Sequence, residues 1–544
     1  MAMTSQLSLG QAGQAPATAL LKMKEMSSNL SLDQARVAPA VAYSRMKEIS
    51  SRLSPGQGGF TPIIILSLVL AYSIGSVVYN LYFHPLRKYP GPKYLAASRI
   101  PYLKWMFSGT LVPKFKELHE QYGPIVRTAP GELSYINADA LKVIYGHRQP
   151  GEGFRKNPAF FQPATNGVHS ILTSEGDAHS RVRRTLLPAF SDKALSDQTD
   201  ILQHFTGLLI RRLRERVQTA GFKPVDLFEW YIWTTFDLIG DLSFGEPFNC
   251  LEKASFTEWV ELVFNAFKTF AFVNISKQLA PLDKIVRMMI PKSMKARQHK
   301  VFNLNIDKVD RRIASKSDHP DFLSYIINSK DGVAMPKEEL YANSTLIVLA
   351  GSESTASGLA GITYQLLKHP EPMKKAVDEI RNAFTSEADI VPDSVKRLPY
   401  LAAIVSEGLR MYPPFPEGLP RLTPKQGATI SGQWVPGGTY VQFSTHAAHR
   451  STINFKDPNV FIPERWMGDE NFATDNKETS QPFSIGPRSC IGRNLAYLEM
   501  RLILARMFFS FDMQLSSESM RWDDQESWIQ WDKKPLMVKL DVRK

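Results

Sequence analysis

Cys490 stands in Phe483-Ser484-Ile485-Gly486-Pro487-Arg488-Ser489-Cys490-Ile491-Gly492, one thiol on a glycine-rich loop. Helix-forming residues follow at once, Arg493-Asn494-Leu495-Ala496-Tyr497-Leu498-Glu499-Met500. Glycines let a backbone fold tightly and come close to a flat partner. Backbone N–H groups and a helix N-terminus stabilise negative charge on sulfur. Together these features present a thiolate to a large planar cofactor. Most lone cysteines are buried structural residues, yet Phe, two glycines, Arg and Cys at these spacings argue for a ligand. The other cysteine, Cys250 in Phe248-Asn249-Cys250-Leu251, has no ligand-like spacing and reads as structural. Two cysteines make no disulfide framework.

A second chemical segment precedes this loop. Leu346-Ile347-Val348-Leu349-Ala350-Gly351-Ser352-Glu353-Ser354-Thr355-Ala356-Ser357 runs from apolar residues into small and hydroxylated ones, with one carboxylate inside. Mid-helix Gly and Ser weaken a helix. Either they leave room for a ligand against the backbone, or they let two helices pack closely. Glu407-Gly408-Leu409-Arg410 sets a carboxylate and a guanidinium one helical turn apart, close enough to pair. His179 and Arg183 share a helix face at i, i+4.

The Cys490 loop resembles, without a departure, the haem-binding signature of the cytochrome P-450 superfamily, Phe-x-x-Gly-x-Arg-x-Cys-x-Gly. The resemblance implies haem b with Cys490 as axial ligand, Phe483 packed near the sulfur and Arg488 on a haem propionate. Thiolate ligation pushes electron density onto iron and favours O–O cleavage. Gly486 and Gly492 would shape the loop against the cofactor. The Glu353 segment resembles the superfamily's oxygen-binding helix, Ala-Gly-x-Asp/Glu-Thr-Thr. Glu353 takes the acidic position, Ser354 the place of the usual catalytic threonine, and Thr355 the next. Glu407 and Arg410 resemble the Glu-x-x-Arg helix, with Arg465 of Phe461-Ile462-Pro463-Glu464-Arg465-Trp466 as third partner. His179-x-x-x-Arg183 resembles a Trp-x-x-x-Arg helix whose basic residues reach the haem edge, and Arg421 aligns with another propionate-binding arginine. Arg181 and Arg184 would point elsewhere, toward an electron donor.

The resemblance covers residues 84–544 and implies one catalytic domain, mainly α with small β-sheets, in the cytochrome P-450 fold. Apolar residues at three- and four-residue spacing predict helices over Ile201–Val217 and Phe256–Phe270. Ile125–Thr128 and Thr439–Phe443 read as strands. Ahead of this domain, Pro62–Tyr82 spans 21 residues without a charge. That length crosses a ~30 Å hydrocarbon core. Residues 60–83 are therefore read as one transmembrane anchor, followed by a basic, proline-rich hinge, His84–Pro92. Residues 1–59 read as a disordered extension rich in Ser, Ala, Gln and Gly, in which Met23–Ser31 recurs as Met46–Ser54. Basic residues flank the anchor on both sides, Arg45, Lys47 and Arg52 against Arg87, Lys88, Lys93 and Arg99. The family likeness, rather than this weak asymmetry, places the catalytic domain in the cytosol on the endoplasmic reticulum membrane.

The net charge of +12 favours anionic surfaces such as membrane lipid or an acidic redox partner. The basic residues are spread along the chain and no nucleic-acid motif occurs. There is no Gly-x-Gly-x-x-Gly fingerprint, so NADPH would deliver electrons through a separate reductase, with cytochrome b5 as an alternative donor. The resemblance implies a monooxygenase that inserts one atom of O2 into an apolar small molecule, in the manner of fungal secondary-metabolism hydroxylases such as trichothecene-pathway enzymes. Desaturation, oxidative coupling or a redox-neutral rearrangement on the same scaffold is the alternative, and a non-enzymatic haem-binding membrane protein a remote one. Phe160, Phe161, Val168, Ile171, Phe415 and Leu419 are candidate pocket residues. Asn29, Asn274 and Asn343 head glycosylation sequons.

Overall fold

A computed structural model describes residues 61–149, 152–221, 223–257, 260, 277, 292–315, 317–327 and 335–543. The 1–59 extension, most of the helix expected over Phe256–Phe270, and the sequons at Asn29 and Asn274 lie outside the described residues.

Helix α1 (Thr61–Val78) runs on through a wider turn, Tyr79–Phe83. The 21 residues Ile63–Phe83 have a mean hydropathy of 1.9 and pack against almost nothing. Among the described residues this is the one helix long and apolar enough to cross a membrane. A core helix would bury such a surface, whereas here Ile63, Leu66 and Leu70 are exposed. The far end is fastened to the rest of the chain. Asn80 Nδ2 donates to the Ala97 carbonyl (2.9 Å), and the buried Arg127 donates through Nη1 to the Asn80 carbonyl (3.0 Å).

Among the many helices that follow, six bear on the site: α2 (Gly176–Leu186), α3 (Thr199–Ala220), α4 (Leu227–Phe244), α5 (Lys337–Lys368), α6 (Pro399–Met411) and α7 (Arg493–Ser510). In α3 the expected stripe is realised: Ile201, Phe205, Leu208, Leu209 and Leu213 are all buried. Helix α4 is buried on nearly every face and lies along α5. Its ends are set locally. The Asp226 carboxylate accepts from the Phe228 N–H (3.0 Å), and Gly245, at φ +67°, closes the C-terminus in the left-handed region.

A five-stranded sheet runs in the order β1 (Ile125–Ala129), β2 (Glu132–Tyr135), β8 (Tyr440–Phe443), β5 (Arg421–Leu422), β3 (Arg155–Lys156), with β2 and β8 parallel and the other pairs antiparallel. It brings Arg421 directly opposite Lys156. A three-stranded sheet joins β4 (Val225–Asp226), β12 (Met537–Val542) and β9 (Phe511–Leu515). Two hairpins complete the fold, β6 (Ala428–Ile430) with β7 (Gln433–Val435) and β10 (Ser527–Trp528) with β11 (Gln530–Trp531).

The expected Glu407–Arg410–Arg465 cluster is present and wholly buried. Arg410 grips Glu407 with two bonds of 2.8 Å, and Arg465 Nε adds a third at 3.1 Å. Trp466 Nε1 and the Ile462 N–H donate to the same carboxylate, at 2.9 and 2.8 Å. Arg410 spends its remaining donors on the carbonyls of His449, Pro458 and Val460. Each buried charge thus meets its partners, which is the condition for such a cluster to hold.

Candidate active site

The Cys490 loop is built by three close contacts. The Cys490 N–H donates to the Phe483 carbonyl (2.9 Å), folding the loop back on itself. Gly486 has φ +73°, and a Cβ there would lie 2.2 Å from the Tyr145 carbonyl oxygen, so only glycine fits. The Phe483 ring packs 4.9 Å from that of Tyr497, one turn into α7. Gly492 sits at an ordinary φ of −88°, where a Cβ would make only ordinary contact with Phe190 at 3.8 Å; its N–H points at the sulfur. The Cys490 thiol is accessible, yet its surroundings raise its pKa by desolvation, against the pull of the Gly492 N–H, Arg183 and Arg493. Both hold together when the sulfur lines a deep cleft inside the protein. Cys250, in contrast, is buried, and burial pushes its thiol up to about 11.

A ring of basic side chains stands beside this loop. Arg183 donates through Nη1 to the Ser489 carbonyl (2.8 Å), tying α2 to the loop. Arg488 donates to the Phe154 carbonyl (3.0 Å). Arg421 is buried between the rings of Tyr145 and Phe161, 5.2 and 5.1 Å from their centroids. His179 is buried, and burial followed by Lys156, Arg488, Arg183 and Arg421 lowers its pKa to about 4. It is therefore neutral and offers an N–H without adding charge. Lys156 completes the ring. Its ammonium donates to the Ser174 carbonyl (2.7 Å), and burial, then Arg488 and Arg421, bring its pKa down to about 7. Glu175 is the carboxylate nearby, accepting from the Lys156 N–H and lying 4.0 Å from Arg488. One carboxylate against three arginines and a partly protonated lysine leaves a demand for anionic charge. The rim fits a cofactor with a dianionic edge, and guanidinium groups bind carboxylates well.

Helix α5 passes the cleft with three successive residues on three sides. Glu353 is buried and its Oε1 lies 2.6 Å from Lys533 Nζ. Ser354 is half-exposed beside the exposed Ala350, and its hydroxyl donates to the Ala350 carbonyl (2.6 Å). Leu346, Ala350 and Ser354 form an accessible stripe along this part of the helix. Thr355 is buried and bonded to Glu499 of α7, a buried carboxyl that desolvation raises to about 8. Two glycines of this helix are needed for close packing. A Cβ on Gly351 would lie 2.7 Å from Ile239 of α4, and one on Gly361 would lie 2.3 Å from Tyr412.

The family model for cytochrome P-450 matches residues 92–540. The chain belongs to the cytochrome P-450 family. Cytochrome P-450 monooxygenase atr2 of Stereocaulon alpinum is 80% identical over 478 residues, covering 88% of this chain and 94% of that protein. Cytochrome P-450 monooxygenase efuB of Hormonema carpetanum is 43% identical over 478 residues, 87% of this chain and 95% of that protein. Averantin hydroxylase of Dothistroma septosporum is 41% identical over 480 residues, 87% and 90% respectively. The chain is thus a haem-thiolate monooxygenase, an oxidoreductase that incorporates oxygen. The mainly helical fold with small sheets is the one the resemblance led us to expect.

Two residues that touch the candidate site escaped the sequence reading. Lys156 lies in a stretch with no motif, and only the sheet pairing carries it to Arg421. Lys533 is 180 positions from Glu353 and has no spacing signal at all. Arg181 clasps Glu339 at the start of α5 with bonds of 3.0 and 2.6 Å while part of its side chain stays open to solvent. Arg184 is exposed as expected. Of the pocket candidates, Phe161 is buried, Phe160, Val168, Ile171 and Leu419 are partly covered, and Phe415 is exposed.

Proposed function

We propose that Cys490 is the axial thiolate ligand of haem b, and that Arg183, Arg421, Arg488 and neutral His179 bind its propionates, with Lys156 beside them. The observation that carries this reading is the accessible thiol in a cleft whose rim is short of negative charge. Bound haem supplies the iron at which dioxygen is reduced and split. Phe483 shields the sulfur, Gly486 and Gly492 let the loop lie flat, and the Gly492 N–H tempers the thiolate's charge. Glu353 is the acid of the oxygen helix. The Ser354 hydroxyl passes protons toward the reacting oxygen, and Thr355 braces the helix against α7. Apolar side chains at Phe160, Phe161, Val168, Ile171, Phe415 and Leu419 exclude water around an apolar substrate.

The names and identities of the relatives support hydroxylation in fungal secondary metabolism, on a polyketide or terpenoid substrate and in pathways of mycotoxin type. Electrons come from NADPH through a separate flavoprotein reductase, with cytochrome b5 as an alternative donor. A groove of about 520 Å³ behind α7, lined by Asp192, Lys396, Arg493, Tyr497 and Arg501, offers the donor a polar landing beside the thiolate loop. The anchor fixes the protein, as a single-pass chain, in the endoplasmic reticulum membrane with the catalytic domain in the cytosol.

The test is spectroscopic. Carbon monoxide bound to the reduced protein should give the red-shifted Soret band that names the superfamily, as thiolate ligation implies. Cys490→Ala should lose that band and Cys250→Ala should keep it. The reverse result would remove the assignment.

A further inference from the structure

The acid and the hydroxyl assigned to proton delivery are not bonded to each other in this structure. Ser354 spends its hydrogen on its own helix, and Glu353 is turned to the C-terminal segment. There it is fully engaged. Lys533 Nζ lies 2.6 Å from Oε1, and the Gln530 amide, oriented by its hydrogen-bond pattern, donates to both carboxylate oxygens at 2.8 and 2.9 Å. Lys533 and Glu353 are both almost out of solvent, at 3% and 7% side-chain exposure. A pair so dry cannot exchange its partners for water at no cost, so the geometry of Glu353 is dictated by where Lys533 is held.

That position is itself fixed with care. Gln530 belongs to β11, paired with β10 across the single residue Ile529. Ile529 has φ +73°, a region that a β-branched residue avoids. Such strain persists only where neighbours over-determine it. Here the neighbour is Glu417, whose carboxylate accepts from the Ile529 N–H (3.3 Å) and the Ser527 hydroxyl (3.5 Å). Glu417 lies two residues from Phe415 and two from Leu419, both candidates for the substrate wall. The hairpin thus connects the segment that lines the cleft to the acid of the oxygen helix.

We infer that Lys533 is a positioning residue: with Gln530 it holds Glu353 in reserve, and the β10–β11 hairpin sets when the acid can turn toward Ser354. This rests on the reading of Glu353 as the proton-delivering acid. Carbon monoxide bound to the reduced holoprotein is the probe, because its infrared stretch senses polarity at the oxygen site without any substrate. Hydrogen peroxide released per NADPH consumed, with a fungal flavoprotein reductase, is the second readout. Lys533→Met should shift the stretch and raise peroxide release several-fold. Lys533→Arg should restore both. In the Glu353→Gln background, Lys533→Met should change neither further, since the lysine acts through the carboxylate. Should Lys533→Met fail to fold, Gln530→Leu, which leaves the ion pair in place, should move both readouts in the same direction and less. If Glu353→Gln changes both readouts while Lys533→Met and Gln530→Leu change neither, the positioning role is wrong and the acid's role stands. If Glu353→Gln changes neither, the acid's role fails and this inference with it. A Lys533→Met effect that persists undiminished in the Glu353→Gln background also overturns it.

Discussion

Serine at position 354 keeps a hydroxyl where the family usually has threonine, and its half-exposed place on α5 suits the transfer of protons. Ser354→Ala should leave the carbonyl spectrum intact while product formed per NADPH falls and hydrogen peroxide rises. General acid–base assistance is typically worth ~10²–10⁴-fold, so the loss should be plain. Ser354→Thr should stay active. Thr355→Ala should leave the product yield unchanged and lower the thermal midpoint, because it strips a partner from buried Glu499. Uncoupling by Thr355→Ala with an unaffected Ser354→Ala would reverse the register. Glu499 carries a second expectation. Its folded pKa of about 8 stands above the ordinary 4.5, so the folded form holds a proton that the unfolded chain releases. The favourable contribution is complete below about pH 4.5 and is lost as pH rises toward 8. Glu499→Gln keeps the neutral form at every pH. Its unfolding free energy relative to the parent, from urea titrations, should rise between pH 5 and 8 and level off above, by a total on the order of a few kcal/mol. A difference flat with pH would show that Glu499 is not protonated in the folded protein.

At the scale of elements, motif and contact agree where the partners are near in sequence or sit in a fixed pattern. The Cys490 loop, the α3 stripe and the Glu407–Arg410 pair were legible because local sterics and helical period dictate them. Arg465 was reached only through the family likeness, since 55 residues separate it from Arg410. Partners supplied by sheet register or by a distant hairpin, Lys156 and Lys533, left no trace in local pattern. Among the small residues of the Glu353 segment, Gly351 is held by close packing on Ile239, while Ala350 stays exposed. Asn343 shows the same limit: its sequon is intact, but the side chain is buried, accepting from the Ile171 N–H (2.8 Å) and donating to the Glu339 carbonyl (2.8 Å). A glycan there is incompatible with the fold, so it cannot report topology. For the α6 cluster, Glu407→Gln leaves Arg410 and Arg465 buried without their shared charge. Removing one partner of a buried pair costs roughly 3–5 kcal/mol. Urea unfolding should show a loss of that size, and a loss near zero would mean that the carbonyls around Arg410 suffice alone.

On the scale of the whole molecule, the anchor and the catalytic domain meet through a short, well-bonded joint. Arg127 holds Asn80 and Pro130 carbonyls together, and the Arg127 N–H donates to the Pro90 carbonyl (2.7 Å). The core of the catalytic domain does not draw on α1, whose side chains are exposed. A chain starting at His84 should therefore fold, bind haem with the same carbonyl spectrum, and move largely from the membrane pellet to the soluble fraction. Loss of the spectrum on truncation would show that α1 is part of the folded core.

The cation-rich rim beside Cys490 has a consequence for how the protein matures. Three arginines and a partly protonated lysine repel one another with only Glu175 between them, so a dianionic edge would relieve most of the rim's charge on loading. The cleft should discriminate among porphyrins by their edge: free dicarboxylates should enter, and dimethyl esters of the same ring should be turned away.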